Sequence, residues 1–178
     1  MMMVMHTRSP VAELGLGLIG GYIGTRVMEP VSARLYELEA ECDRQREEAV
    51  RPGAPYEMAA RKTTRAIGLE LAEPQVRALG TYGFHYGLGM GWGTVYSLLR
   101  GLRLHPLLAG PLAGASLSII VDEGLTPALG FSAPNSAYPL ATHVRGIVAH
   151  LVYGLAVAAT VEALTWLGVA RARSLRCA

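Results

Sequence analysis

Four titratable side chains recur in matched surroundings along an otherwise apolar chain. Glu29 and Asp122 each close a run of small residues, and His85 and His150 each open one. Imidazole with carboxylate can ligate a transition metal, relay protons inside a membrane, or simply hydrogen-bond helices into register. His85, His150, Glu29 and Asp122 together supply enough ligands for one zinc, manganese or iron ion, with Glu123 as a substitute ligand. A metal ion is therefore one expectation for a cofactor, whereas no apolar pocket signature marks the histidines for haem. The other expectations are a proton or ion path using Glu162, His150, His85 and Asp122, or hydrogen bonding alone. Glu162 lies nine residues before Arg171 within an apolar run, where an unpaired carboxylate is costly, so it should face other helices. Ser97, Tyr96 and Thr94 are its possible donors.

The elements that must position these groups are written in glycine spacing. Gly17, Gly21, Thr25 and Glu29 recur at four, as do Gly110, Gly114, Ser118 and Asp122. His85, Gly89, Gly93 and Ser97 form a second pattern, matched by His150, Gly154, Ala158 and Glu162. Residues four apart share one helix face, and ridges of small side chains let helices approach closely in lipid. The expected packing residues are Gly17, Gly21, Gly89, Gly93, Gly110, Gly114, Gly154 and Ala158. The match between halves predicts two parallel two-helix repeats, with all four titratable groups at similar depth.

Composition sets the solvent. Of 178 residues 51% are hydrophobic and 17% charged, mean hydropathy is +0.30 and 21 are glycine; ordinary soluble domains carry about 25% charged residues. Nineteen of the 30 charges fall within residues 26–77, which leaves long apolar stretches that need lipid or a protein partner. Residues 11–28, 80–99, 106–121 and 144–170 approach the ~17–25 residues needed to cross a bilayer. The fold class expected is thus all-α, a single polytopic membrane domain over residues 1–178 with four transmembrane helices. A signal peptide ending near Val31-Ser32-Ala33 is the other reading of the first stretch, opposed by Glu13 and its glycines.

Residues 30–79 form an insertion that should lie outside the bilayer. Val31, Leu35, Leu38 and Cys42 recur at helical spacing over 31–50, Arg51-Pro52-Gly53-Ala54-Pro55 breaks the chain, and residues 56–71 resume a helical pattern, giving a helical hairpin. Pro30 and Pro74 suit first-turn helix positions. Arg8, Arg100, Arg103, Arg171, Arg173 and Arg176 share one face, opposed only by Glu13, which places both termini in the cytoplasm. Arg26 and Arg145, near the other ends, can snorkel. Trp92 and Trp166 read as packing or interface residues, and Cys42 and Cys177 fall on opposite sides, so no disulfide between them is expected.

Phosphate loop, nucleophile elbow, HExxH and Cys-x-x-Cys are all absent from the sequence, and no basic patch suits nucleic acid. An enzyme is therefore expected only if the His/carboxylate cluster performs the chemistry. Gly124-Leu125-Thr126-Pro127, the segment between Pro134 and Pro139, and Gly146-Ile147-Val148-Ala149-His150-Leu151-Val152-Tyr153-Gly154 resemble the C-terminal part of the YagU-type bacterial inner-membrane proteins over some 45 residues. That resemblance implies a bacterial cytoplasmic membrane protein, draws attention to His150, and brings a proposed involvement in acid resistance without an established biochemical activity. The functional expectation is a structural or accessory subunit that associates with other membrane subunits or itself in the lipid bilayer. A proton- or ion-linked transporter and a membrane metalloprotein are the alternatives.

Overall fold

In the computed structural model the described residues are 10–174, and every element among them is helical. Arg8, Arg176 and Cys177, used above for orientation and disulfide chemistry, lie outside the described residues.

Helix α1 (Pro10–Leu38) runs unbroken through Pro30, where the proline pattern predicts a new helix. A proline inside a helix forfeits one backbone bond and crowds the carbonyl four residues back. Here packing along both halves of the helix outweighs that cost. The break comes instead at Glu39-Ala40, before α2 (Glu41–Val50). Helix α3 (Pro55–Ala66) starts on Pro55 and stops earlier than its helical pattern implies. Gly68, at φ +75°, lets the Leu69 amide donate to Thr64 O and the Gly68 amide to Arg65 O. This closing turn needs a left-handed residue that glycine adopts without strain.

The chain then enters the second long helix through α4 (Glu73–Ala78), with Pro74 in its first turn as expected. A π-helical segment (Leu79–Tyr86) leads into α5 (Gly87–Gly101) without interruption. The third helix is built alike: α6 (Pro106–Leu117), a second π-helical segment (Ser118–Leu125) and α7 (Thr126–Ala128). Asp122 and Glu123 are therefore inside a helix, not in the loop that the apolar run predicts. A short 3-10 turn (Asn135–Ala137) precedes α8 (Leu140–Ser174).

Three helix pairings carry the architecture, α1 along α8, α1 on α5 and α6 on α8, the last two being glycine-to-glycine crossings. A Cβ added at Gly17 would lie 2.9 Å from Thr94 Cα, and one at Gly93 would lie 2.7 Å from Gly21 Cα. At the other crossing, a Cβ on Gly110 would lie 2.6 Å from Gly154 O. Backbones at this distance leave no room for a side chain, which is why the ridges are glycine. Gly93 faces Gly17 as Gly154 faces Gly110, so the two crossings correspond one helical turn away from the alignment that pairs His85 with His150.

The interior is made of Tyr96, Tyr153, Val157, Ala109, Ala113 and Leu117, while Leu14, Ile19, Leu108, Leu112, Ile119, Leu155 and Leu167 are exposed. Alanine and glycine at the helix contacts, with many large apolar residues left outside, depart from the soluble pattern. Two helical stretches, Pro106–Ala128 and Leu140–Gly168, are long and apolar enough to cross a membrane.

Candidate functional site

Both π-helical segments deliver site residues. The first presents His85 and Tyr86, and the second presents Asp122 and Glu123. π-helical turns are frequent at functional sites because they re-aim side chains off the regular helix face. They aim here toward one cavity of about 570 Å³ between the helix ends and the insertion, lined by His85, His143, His150, Asp122 and Glu123 among others.

Each of these histidines meets a carboxylate. His85 Nε2 lies 3.3 Å from Glu29 Oε1, and His150 Nε2 lies 3.4 Å from Asp122 Oδ2. His143 Nδ1 is 2.8 Å from Glu123 Oε1. The opposite ring nitrogens of two of them face backbone carbonyls. His150 Nδ1 is 2.8 Å from Gly146 O and His143 Nε2 is 3.2 Å from Asn135 O; a carbonyl only accepts, so a ring nitrogen bonded to one is the donor. An ionised carboxylate also only accepts, so a ring that donates to carbonyl and carboxylate at once is an imidazolium. In the His143 and His150 couples a single proton therefore changes both charge and bonding.

Glu29 is further tied to its neighbours. Tyr86 Oη donates to both of its oxygens at 2.9 and 3.0 Å, and Arg26 bridges Glu29 at 3.0 Å and the Tyr86 hydroxyl at 2.9 Å. Tyr56 of α3 packs against His85 with ring centres 5.0 Å apart and planes tilted by 38°. The carboxylates and histidines expected to share one metal therefore pair separately, and among the described residues no three His, Cys, Asp or Glu side chains are placed to hold one ion.

The insertion covers the cavity and is clamped by Arg145. Its guanidinium reaches Glu39 at 2.5 Å and Glu47 at 2.7 Å, lies 5.0 Å from the Tyr36 ring centre, and its side chain is only 11% exposed. Arg145 is therefore a buried clamp and not the snorkelling residue expected from its place near a helix end. Thr142 also donates to Glu47 at 2.7 Å. Burial opposes ionisation of Glu47, but the Arg145 and Thr142 hydrogen bonds and the charges of Arg145 and Arg51 outweigh it, holding its carboxyl below the ordinary value.

At the other end Glu162 accepts from Tyr96 Oη at 2.8 Å and from Arg100 Nε at 2.7 Å. Tyr96 is a donor the sequence suggests, whereas Arg100 turns inward from a loop position assigned only to orientation. Ser97 instead donates to Glu13 O at 3.1 Å. Between the two polar ends, Tyr153 is fully buried and donates to Gly89 O at 2.6 Å. Glu162 is thus separated from the cavity by packed side chains. Trp92 joins α5 to α6 by donating to Ala113 O and Ser116 Oγ at 3.1 and 3.2 Å, while Trp166 is exposed.

His143, Arg145 and Arg100 are the site residues that sequence spacing missed. None belongs to a repeated ridge, and each finds its carboxylate 20 or more residues away in sequence. Compared with known protein families, curated proteins and solved structures, the chain gives no match.

Proposed function

We propose that this chain is a four-span integral membrane protein that links occupancy of its cavity to protonation, in the manner of a proton- or ion-linked transporter. The observation that carries this reading is the meeting of three cavity-lining histidines with three carboxylates, two of the rings having their second nitrogen committed to a carbonyl. Ionisable groups within apolar helices are costly and are kept for work that needs them. The exposed leucines and isoleucines of α1, α6 and α8 support lipid contact on all sides. The two glycine crossings support a plan of two helix pairs, and the arginine distribution supports cytoplasmic termini with the cavity facing outward; the bacterial inner membrane follows from the family resemblance alone.

Reconstitution into vesicles holding a pH-sensitive dye tests the reading. The protein should pass or exchange protons under an imposed gradient, and His150→Ala and Glu123→Gln, both at the cavity wall, should abolish this without unfolding the chain. Wild-type vesicles indistinguishable from empty ones across several ions overturn it.

A second reading, an accessory subunit or self-associating unit, is favoured by Gly15 and Gly91, whose positions have no atom within 4 Å of an added Cβ. Small open positions on a lipid-facing helix suit another helix. Native mass measurement after gentle solubilisation should then give a stoichiometric assembly, and a stable monomer removes this reading.

A further inference from the structure

The chain has two phenylalanines, and both Phe84 and Phe131 line the cavity that holds Asp122 and Glu123. We propose that the occupant of this cavity is a small organic ammonium ion, held by those two carboxylates against an aromatic wall. The proposal rests on the reading of the cavity as a proton-linked site and names what competes with the proton.

Three observations select this class. The first is charge. Glu47, the other acid on the wall, is taken by Arg145 and Arg51, at 2.7 and 3.3 Å. Among the described residues Asp122 and Glu123 meet only imidazoles as ion-pair partners, so with neutral histidines they offer negative charge with no fixed cation opposite. The wall arginines are committed to Glu39 and Glu47 and leave little for an anion. The second is size: about 570 Å³ is far more than a bare ion fills and lies in the range of small-molecule pockets. The third is the wall itself. Tyr56, Tyr138, Phe84 and Phe131 surround the space, and aromatic faces attract alkylated ammonium groups that carboxylate alone would hold poorly.

Protonation then acts as the rival ligand. Adding a proton to His150 or His143 supplies an internal cation to Asp122 or Glu123, and the ammonium loses its counter-charge. The groups facing these rings are Asp122 and Glu123 from the second π-helical segment, Tyr138 before α8, and Tyr153 on α8 itself. His85 faces Glu29 of α1 and Tyr56 of α3, and the Arg145 and Glu47 pair completes the wall. None of these adds an unpaired cation that would substitute for the histidines.

The test is calorimetric titration of the full chain in detergent with choline and with its neutral isostere 3,3-dimethylbutan-1-ol, at ~pH 8 where imidazole is neutral. Choline should bind roughly tenfold or more tightly than the isostere. Asp122→Asn and Phe131→Leu should each weaken choline roughly tenfold, with isostere affinity and the thermal transition unchanged, which excludes misfolding as the cause. Equal affinity for the isostere, or choline binding indifferent to both substitutions, overturns the proposal. Choline binding that takes up or releases no proton between about pH 8 and 5 keeps the cation site and overturns the proton-linked reading. Histidine-dependent proton flux with no choline binding does the reverse.

Discussion

Arg145 is the residue on which the insertion depends most directly. Its guanidinium serves two buried carboxylates at once, with side chains of Glu39 and Glu47 only 9% and 3% exposed. Removing one partner of a buried ion pair leaves the others charged and dry, at a cost of about 3–5 kcal/mol. Arg145→Met should therefore lower unfolding stability by that order and raise hydrogen exchange across α2, and replacing Glu39 and Glu47 with apolar residues as well should recover part of the loss. The same contact sets a pH response. Glu47 is held below its ordinary 4.5 in the folded chain, so the unfolded state binds its proton first as pH falls. The stabilisation is full above about 4.5 and is lost as pH drops through the lowered folded value. Thermal transitions measured from about pH 6 to 3 should show this loss, and Glu47→Gln should flatten it. Sequence spacing made Arg145 look like a surface arginine because its partners lie 98 and 106 residues away, a separation that periodicity cannot report.

Among the elements, the glycine ridges divide into those that touch and those that do not. Gly93→Ala would place a Cβ 2.7 Å from Gly21 Cα, so the helices must separate, at about 1–3 kcal/mol. Gly15→Ala meets no atom within 4 Å and should be neutral or stabilising by up to ~1 kcal/mol through its better helix propensity. Thermal denaturation of both variants in one detergent checks the contrast. The helices and the ridge residues were legible because four-residue spacing fixes a helix face whatever surrounds it. The π-helical segments were not, because their one extra residue per turn leaves composition unchanged and shows only in where His85, Asp122 and Glu123 point. The unbroken passage of α1 through Pro30 was equally hidden, since tertiary contact decides whether a proline ends a helix.

For the molecule as a whole, the outward display of large apolar side chains was foreseeable from low charge and high glycine content, while the clamp and the cavity were not. Orientation can be settled on one thiol. Cys42 is exposed in α2 of the insertion, on the side opposite the termini in the proposed topology. In a Cys177→Ser variant a membrane-impermeant maleimide should label it in intact spheroplasts, whereas labelling only after lysis would place the insertion in the cytoplasm.

The length of α8 has a further consequence. Its apolar stretch, Leu140–Gly168, has 29 residues against 23 for Pro106–Ala128, which at helical rise is roughly 44 Å against roughly 35 Å. A hydrocarbon core is about 30 Å thick, and an overlong helix relieves the mismatch by tilting or by thickening the bilayer around it. Because α8 carries Arg145 and His150 near one end, its inclination also sets where the clamp and one proton-bearing couple stand. In the proposed topology lipid chain length thereby becomes a mechanical input to the cavity: short-chain lipids favour a leaning α8, and long-chain lipids an upright one.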